Sequence, residues 1–162
     1  MQTGAFRTPK SGIVSRFEPR SPAAPDIAYM DWAGHHRDRV GLGIGGFFFR
    51  AKEPDALARW YADHLGVALP PESYDQRSWE QQQGATVFAP FAADSDYFGR
   101  ADQPWMINFR VRDLQAMVAQ LTAAGIAVEV DTEHYPNGWF ARLADPEGNP
   151  IQLWQAEGAD RD

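Results

Sequence analysis

The feature that most constrains the fold is an internal repeat in the middle of the chain. The segments "FRAKEPDALARWYADHLGV" and "FRVRDLQAMVAQLTAAGIAV" align with one residue of slippage, so that residues 49–50 match 109–110 and residues 65–67 match 124–126. Self-similarity over this length indicates two copies of one supersecondary unit. We therefore expect two similar halves within a chain of 162 residues, a length typical of one domain.

Each copy of the repeat contains an amphipathic helix. In "PDALARWYADHLG", residues 54–66, apolar residues recur at helical spacing and Gly66 is placed to end the helix. In the second copy, Asp113 is predicted to cap a helix that closes at Gly125. A strand candidate precedes each helix, so both copies begin as a strand followed by a helix.

Short strand candidates also follow each helix. The last two are joined by "DPEGN", in which Pro146 presets φ and Gly148 accepts a positive φ. Each half is therefore predicted to be βαβββ, and the fold class to be α+β, with two paired βαβββ modules forming an open eight-stranded cup. The strand candidates are residues 43–51, 74–81 and 85–91 in the first half and 105–111, 127–130, 138–144 and 150–155 in the second.

The composition of the chain changes near residue 40. Residues 1–40 contain four prolines, scattered arginines and no sustained apolar period, which predicts a flexible N-terminal extension. Residues 41–156 are predicted to be the folded domain, with modules at about 43–91 and 104–155. Residues 157–162 are predicted to be a short polar tail.

Strand alternation predicts which side chains share the face of the sheet away from the helices. Ile107, Phe109 and Val111 are expected to pack beneath the helices, and Ile151 and Leu153 to belong to the same core. Their alternates then form a face of mixed aromatic and polar character, which suits a ligand better than bulk water. The predicted ligand-binding residues are Phe48, Arg50, Met106, Asn108, Arg110, Arg142, Gln152 and Trp154.

The polar residues of this face have two interpretations each. Asn108 and Gln152 could orient a carbonyl or hydroxyl group of a ligand, or could be satisfied by a neighbouring strand or by water. Arg50 and Arg110 could hold a carboxylate or phosphate, or could pair at the rim with Glu53 and Asp113, respectively. Segment 91–105, which joins the halves, either covers the cup or forms a dimer contact.

Two motifs, together with the paired modules, carry a family resemblance. "RWYADHLGV" after the first strand and "LADPEGNPIQLW" at the end resemble the glyoxalase/bleomycin-resistance/extradiol-dioxygenase superfamily, also called vicinal oxygen chelate, over roughly residues 43–155. The resemblance implies that each half curls into an open sheet and that the two halves form a cup with a concave floor that binds substrate. Metal-dependent members place a His on the first strand of a half and a Glu or His on its last strand.

The family's metal-ligand positions can be located in this chain. They fall near Gly46 and Ala89 in the first half and near Met106 and Gln152 in the second. Glycine and alanine have no side-chain donor, methionine suits soft copper, and a neutral amide oxygen is a weak ligand for the metals used by such enzymes. We therefore predict no cofactor and do not expect a divalent metal.

The loop before the penultimate strand holds the remaining catalytic candidates. His134, in "DTEHYPNG", could reach the mouth of the cup. Tyr135 and Glu133 beside it could share in acid/base chemistry without a metal. No other residue is assigned a catalytic role.

Composition excludes several classes of protein. The chain has no cysteine, and therefore no disulfide or thiolate site. A formal net charge of −7 argues against nucleic acid as a partner. No apolar run or leader pattern indicates a membrane span or secretion, so we expect a cytoplasmic protein.

Three functions follow, in order of preference. The first is a metal-free protein that binds a small planar or anionic molecule in the cup, as drug-sequestering members of the superfamily do. The second is a lyase, isomerase or dioxygenase with a displaced metal site or metal-free acid/base chemistry. The third is a dimerisation or interaction module, whose cup would be filled by its own side chains.

Overall fold

The computed structural model describes residues 43–161 of the chain. Its elements follow in the order α1 (Pro54–Leu65), β1 (Ile107–Arg110), α2 (Leu114–Ala123), β2 (Glu129–Val130), β3 (Gly138–Ala144) and β4 (Pro150–Ala156). A single 3₁₀ turn, Gly158–Asp160, follows β4 within the predicted tail. The mixed α+β class is confirmed, whereas the predicted extension at residues 1–40 lies outside the described residues.

Both predicted helices are present with the predicted ends. Gly66 ends α1 with a φ of 68°, in the left-handed region that glycine enters without steric cost. Asp113 caps α2, because its carboxylate accepts a hydrogen bond of 2.9 Å from the backbone N–H of Ala116.

The strands of the second half form one sheet. Within the described residues its order is β1-β4-β3-β2. β1 is parallel to β4, whereas β3 is antiparallel to both β4 and β2. Because parallel neighbours cannot be joined by a tight turn, residues 111–149, which include α2, provide the crossover from β1 to β4.

One face of this sheet forms the core together with both helices. Leu57 and Tyr61 of α1 and Leu114 and Leu121 of α2 are buried in the same cluster as the strand residues. Ile107, Phe109 and Val111 pack against that cluster, as the alternation predicted. The strand residues of the cluster are Ala141, Leu143, Ile151 and Leu153.

The turn between β3 and β4 is organised by the buried carboxylate of Asp145. Its Oδ1 accepts the backbone N–H groups of Glu147 and Asn149, each at 2.9 Å, and its Oδ2 accepts the Asn149 side-chain amide at 2.7 Å. Gly148 has a φ of 83°, the positive value expected from "DPEGN". The turn predicted from the sequence is therefore present and internally hydrogen-bonded.

The same turn is hydrogen-bonded to the backbone just before α1. The Glu147 carboxylate accepts the backbone N–H groups of Glu53 and Lys52 at 2.9 Å. These two hydrogen bonds hold the pKa of the Glu147 carboxyl below its usual range. The first-half helix is therefore held by a turn of the second half.

The strands predicted for the first half are not formed in the described residues. Residues 43–51, 74–81 and 85–91 have no strand pairing there, so the eight-stranded arrangement is not confirmed. In residues 74–91 every residue except Ala85 and Phe91 is exposed. An alternating pattern fixes a strand only when one face is buried. The helix that could cover this face, α1, is instead packed in the core of the second half.

Residues 43–50 belong to a separate compact unit and are described by themselves. They form neither helix nor strand and are exposed, with the rings of Phe47 and Phe49 centred 5.4 Å apart. Phe48 is 94% exposed. The predicted ligand-binding roles of Phe48 and Arg50 remain predictions.

Candidate functional site

The sheet face opposite the helices, here called the helix-free face, carries a row of polar side chains across all four described strands. Gln152 in β4 is the register partner of Asn108 in β1 on one side and of Arg142 in β3 on the other. Arg142 is in turn the partner of Glu129 in β2. Directly paired residues project from the same face, so the row runs Asn108, Gln152, Arg142 and Glu129.

The centre of this row is a buried amide that is hydrogen-bonded at both its oxygen and its nitrogen. Gln152 is only 7% exposed. Its Oε1 accepts a hydrogen bond of 2.8 Å from Nδ2 of Asn108, and its Nε2 donates one of 2.8 Å to the hydroxyl of Tyr97. Since a buried amide is costly when unpaired, Asn108 and Tyr97 fix the orientation of the Gln152 side chain.

Tyr97 comes from segment 91–105, so this segment covers the helix-free face at Gln152. Nη1 of Arg142 donates a 2.9 Å hydrogen bond to the Tyr97 carbonyl. The Cζ atom of Arg142 also lies 4.1 Å from the centroid of the Tyr97 ring, within cation–π range. The ring of Phe91 stacks on Tyr97 with centroids 5.0 Å apart.

A second row, two residues further along the strands, is aromatic. Trp154 is the register partner of Arg110 and of Phe140. The rings of Phe140 and Trp154 are nearly parallel, with centroids 6.1 Å apart, and the Trp154 indole N–H donates to the carbonyl of Asn137 at 2.7 Å. Two parallel aromatic rings, of which that of Trp154 is buried, therefore adjoin the polar row.

Arg110 is engaged by backbone atoms of the segment that follows α1. Its Nη2 and Nη1 donate to the carbonyls of Gln82 and Gln83 at 2.6 and 3.2 Å. The rim pair considered for Arg110 would have involved Asp113, whose Oδ1 instead caps α2. Arg110 therefore links segment 74–91 to the sheet.

A cavity of about 530 Å³ lies at the β2–β3 edge of the sheet, beside Trp60 of α1. Glu129 and Arg142 supply polar groups to its wall, and Gln152 is not one of its lining residues. Its volume is in the range of small-molecule sites. The apolar part of the wall includes Trp60, Ile126, Val128 and Leu143.

The residues at the superfamily's metal-ligand positions do not fit a divalent metal. Gly46 and Ala89 have no side-chain donor, and Met106 offers only a thioether. The amide oxygen of Gln152 already accepts a hydrogen bond from Asn108. In residues 43–161 no three His, Cys, Asp or Glu side chains are grouped so that they could hold a metal ion.

The loop residues considered for acid/base chemistry lie away from Gln152. His134 stacks on Trp139 with ring centroids 4.3 Å apart, and its Nε2 is 2.7 Å from Oε2 of Glu157. Trp139 is one residue from Phe140 along β3, so alternation directs its side chain to the opposite face. The structure therefore does not bring His134 to the polar row.

Tyr135 lies closer to the aromatic row. Its ring meets Phe140 edge-on at 5.8 Å, and its hydroxyl donates to Oδ2 of Asp131 at 3.3 Å. Burial, followed by a hydrogen bond to Glu133 and the charges of Asp131 and Glu133, raises the pKa of Tyr135 to about 12. This phenol therefore stays protonated at neutral pH, where it is not available as a general base.

The structure places most of the predicted binding residues of the second half close together. It also adds three residues that the sequence did not single out, Tyr97, Phe91 and Glu129. Asn108, Arg142 and Gln152 share one row, and Met106 is half-buried just before β1. Tyr97 lies in a segment that was predicted to cover the cup or to form a dimer contact, but its partners depend on tertiary contacts. Phe91 and Glu129 join the site for the same reason, and no motif marks them.

Comparison with known proteins is consistent with this fold. The family model for the glyoxalase-like domain matches residues 46–154, and the chain belongs to this family. No curated protein matches the chain. Within the described residues, no helix combines the length and apolar character needed to cross a membrane.

Solved structures provide more distant similarities. A glyoxalase/bleomycin resistance protein from Streptomyces sp. CB03234 is 33% identical over 33% of this chain and 46% of its own, with a TM-score of 0.29. An antibiotic binding protein from the same organism is 22% identical over 65% of this chain and 88% of its own, with a TM-score of 0.40. A glyoxalase family protein from Enterococcus faecalis is 24% identical over 40% of this chain and 52% of its own, with a TM-score of 0.31. These TM-scores are low, so the family assignment rests on the match over residues 46–154.

Proposed function

We propose that this protein binds a small planar or anionic molecule at the helix-free face, and that it does so without a metal. The observation that carries the proposal is the state of Gln152, a buried neutral amide held by Asn108 at the position where metal-dependent relatives have a ligand. A held amide presents a directed hydrogen-bond donor. It is suited to orienting a ligand rather than to activating one.

The neighbouring side chains indicate the kind of molecule that would bind. The guanidinium of Arg142 stacks on an aromatic ring in this structure, and guanidinium groups also pair with carboxylates. Beside it lies the half-buried ring of Phe140, which is parallel to the buried ring of Trp154 and can add an apolar contact. A planar molecule with an oxygen substituent matches both features.

The proposal is tested by calorimetric titration of the full chain with a panel of planar aromatic acids and phenols, in the presence of a chelator. We expect binding to survive the chelator and to occur without turnover. Gln152→Ala should weaken the affinity about tenfold, the factor that corresponds to loss of one hydrogen bond of about 1.4 kcal/mol.

A matched control for this titration is Arg77→Ala. Arg77 is an exposed cation whose side chain, within residues 43–161, pairs locally with Glu80 at 3.0 Å. Its removal should leave binding unchanged, whereas Arg142→Ala should weaken it. Binding that requires an added divalent metal, or conversion of a bound compound into product, would overturn the proposal.

A further inference from the structure

The polar row of the helix-free face converges on one side chain of the protein itself. Gln152 donates to the hydroxyl of Tyr97, Arg142 donates to its carbonyl, and the Arg142 guanidinium lies over its ring. Phe91 adds an aromatic ring stacked at 5.0 Å. The face therefore already holds an aromatic ring that bears an oxygen acceptor.

The donor that meets the hydroxyl of Tyr97 is oriented by groups other than Tyr97. Asn108 donates to Oε1 of Gln152 and thereby leaves Nε2 as the end of the amide that points to Tyr97. Asn108 and Gln152 both lie in paired strands, so their spacing is set by the sheet register. Loss of the Tyr97 contact would leave a buried N–H donor without that partner, which is costly unless another acceptor takes its place.

The segment that supplies Tyr97 is not a strand of the sheet. Between residues 91 and 105 it is built from short turns, closed by backbone hydrogen bonds from Ser95 to Ala92, from Gly99 to Asp96 and from Gln103 to Arg100. Its far end is held by Gln103, which is 6% exposed and whose amide donates to the carbonyl of Trp105. Segments of this kind open at lower free energy than strands and helices.

We infer that Tyr97 occupies the place of the ligand, and that the ligand is a planar aromatic molecule carrying an oxygen acceptor, such as a phenol or an aryl carbonyl, which binds by displacing Tyr97. The inference rests on the proposed function. It adds the chemical class of the ligand and identifies Tyr97 as the side chain that competes with the ligand for the site. The ligand can bind only to molecules in which Tyr97 has left the site. Its apparent affinity is therefore the intrinsic affinity multiplied by the fraction of molecules in which segment 91–105 is open.

The experiment is calorimetric titration of full-length wild type, Tyr97→Ala and Tyr97→Phe with 2-naphthol. With Tyr97→Ala the affinity should rise about tenfold, as expected if about one molecule in ten is open in the wild type. Tyr97→Phe keeps the ring and loses only the acceptor, so it should tighten binding by a smaller factor. It also tests the inference if Tyr97→Ala does not fold.

Two controls distinguish a site that recognises the ligand from a cavity created by truncating the Tyr97 side chain. 2-Methylnaphthalene lacks the oxygen acceptor and should bind Tyr97→Ala more weakly than 2-naphthol. Adding Gln152→Ala to Tyr97→Ala should lower the 2-naphthol affinity about tenfold, because the oriented donor is lost. A bare cavity would bind both compounds alike and would not depend on Gln152.

The outcomes distinguish the inference from the proposed function. If wild type binds a member of the panel but Tyr97→Ala binds more weakly, Tyr97 is part of the site, and displacement is wrong while the function stands. If Tyr97→Ala binds independently of Gln152, the ligand class is wrong. If neither wild type nor any Tyr97 variant binds a planar compound, both the inference and the proposed function fail.

Discussion

The hydroxyl of Tyr61 in α1 donates a 3.0 Å hydrogen bond to Oδ2 of Asp145 in the turn between β3 and β4. Both residues are buried, at 7% and 4% exposure. This contact joins the helix of the first half of the sequence to the hairpin of the second. Burial, followed by the charge of Asp145 and the hydrogen bond to it, raises the pKa of the Tyr61 hydroxyl.

Tyr61→Phe is expected to lower the free energy of unfolding by about 1–2 kcal/mol, because it removes a buried hydrogen bond to a carboxylate. The raised pKa makes this contribution fully present below the unfolded value of about 10 and progressively lost as the pH rises above it. Urea denaturation between pH 7 and pH 11 measures both effects. A wild type whose stability falls no more steeply above pH 10 than that of the variant would contradict the assignment.

Glu147→Gln is expected to weaken the connection between the β3–β4 turn and the start of α1. The pKa of Glu147 is lowered by the N–H groups of Glu53 and Lys52, so the carboxylate stabilises the fold above its ordinary pKa of about 4.5. This stabilisation is lost as the pH falls through the lower folded value. The difference in unfolding free energy between wild type and variant should therefore shrink in acid. Glu72→Gln, another exposed carboxylate of the chain, serves as the control.

Ile151→Ala is expected to destabilise the protein by about 3 kcal/mol, within the range for buried large-to-small substitutions. Ile151 is fully buried in the cluster that joins the sheet to both helices. Leu69→Ala is the matched control, because Leu69 is 51% exposed, and it should change stability by less than about 0.5 kcal/mol. Equal effects of the two substitutions in thermal or urea denaturation would show that the core is placed incorrectly.

His134→Ala separates binding from acid/base catalysis. His134 contacts Trp139 and Glu157 rather than the polar row, so its loss should leave the affinity for planar ligands unchanged. Gln152→Ala should weaken the same affinity. A ligand-dependent reaction that is abolished by His134→Ala would favour the metal-free enzyme over the binding protein.

The elements predicted correctly are those whose signals are local. The caps at Gly66 and Asp113 and the turn at "DPEGN" depend on residues within a few positions of one another. The core face of β1 also followed from alternation, because α2 lies next to it in sequence and covers that face. These features needed no knowledge of distant partners.

The first-half strands and the contacts of Tyr97 could not be derived in this way. The alternating pattern in residues 74–91 shows that a strand is compatible with the sequence, but pairing and burial decide whether one forms. The contact between Tyr97 and Gln152 spans 55 positions. The contact depends on the path of segment 91–105 across the sheet, and no local sequence pattern predicts that path.

In the proposed function, Gln152 belongs to a neutral hydrogen-bonding site rather than to a metal centre. The most direct measurement is the metal content of untagged protein purified without a chelator, determined by plasma mass spectrometry. We expect no metal above background in the wild type or in Gln152→Ala. Stoichiometric Fe, Mn, Zn, Ni or Co in the wild type that is lost in Gln152→Ala would contradict it.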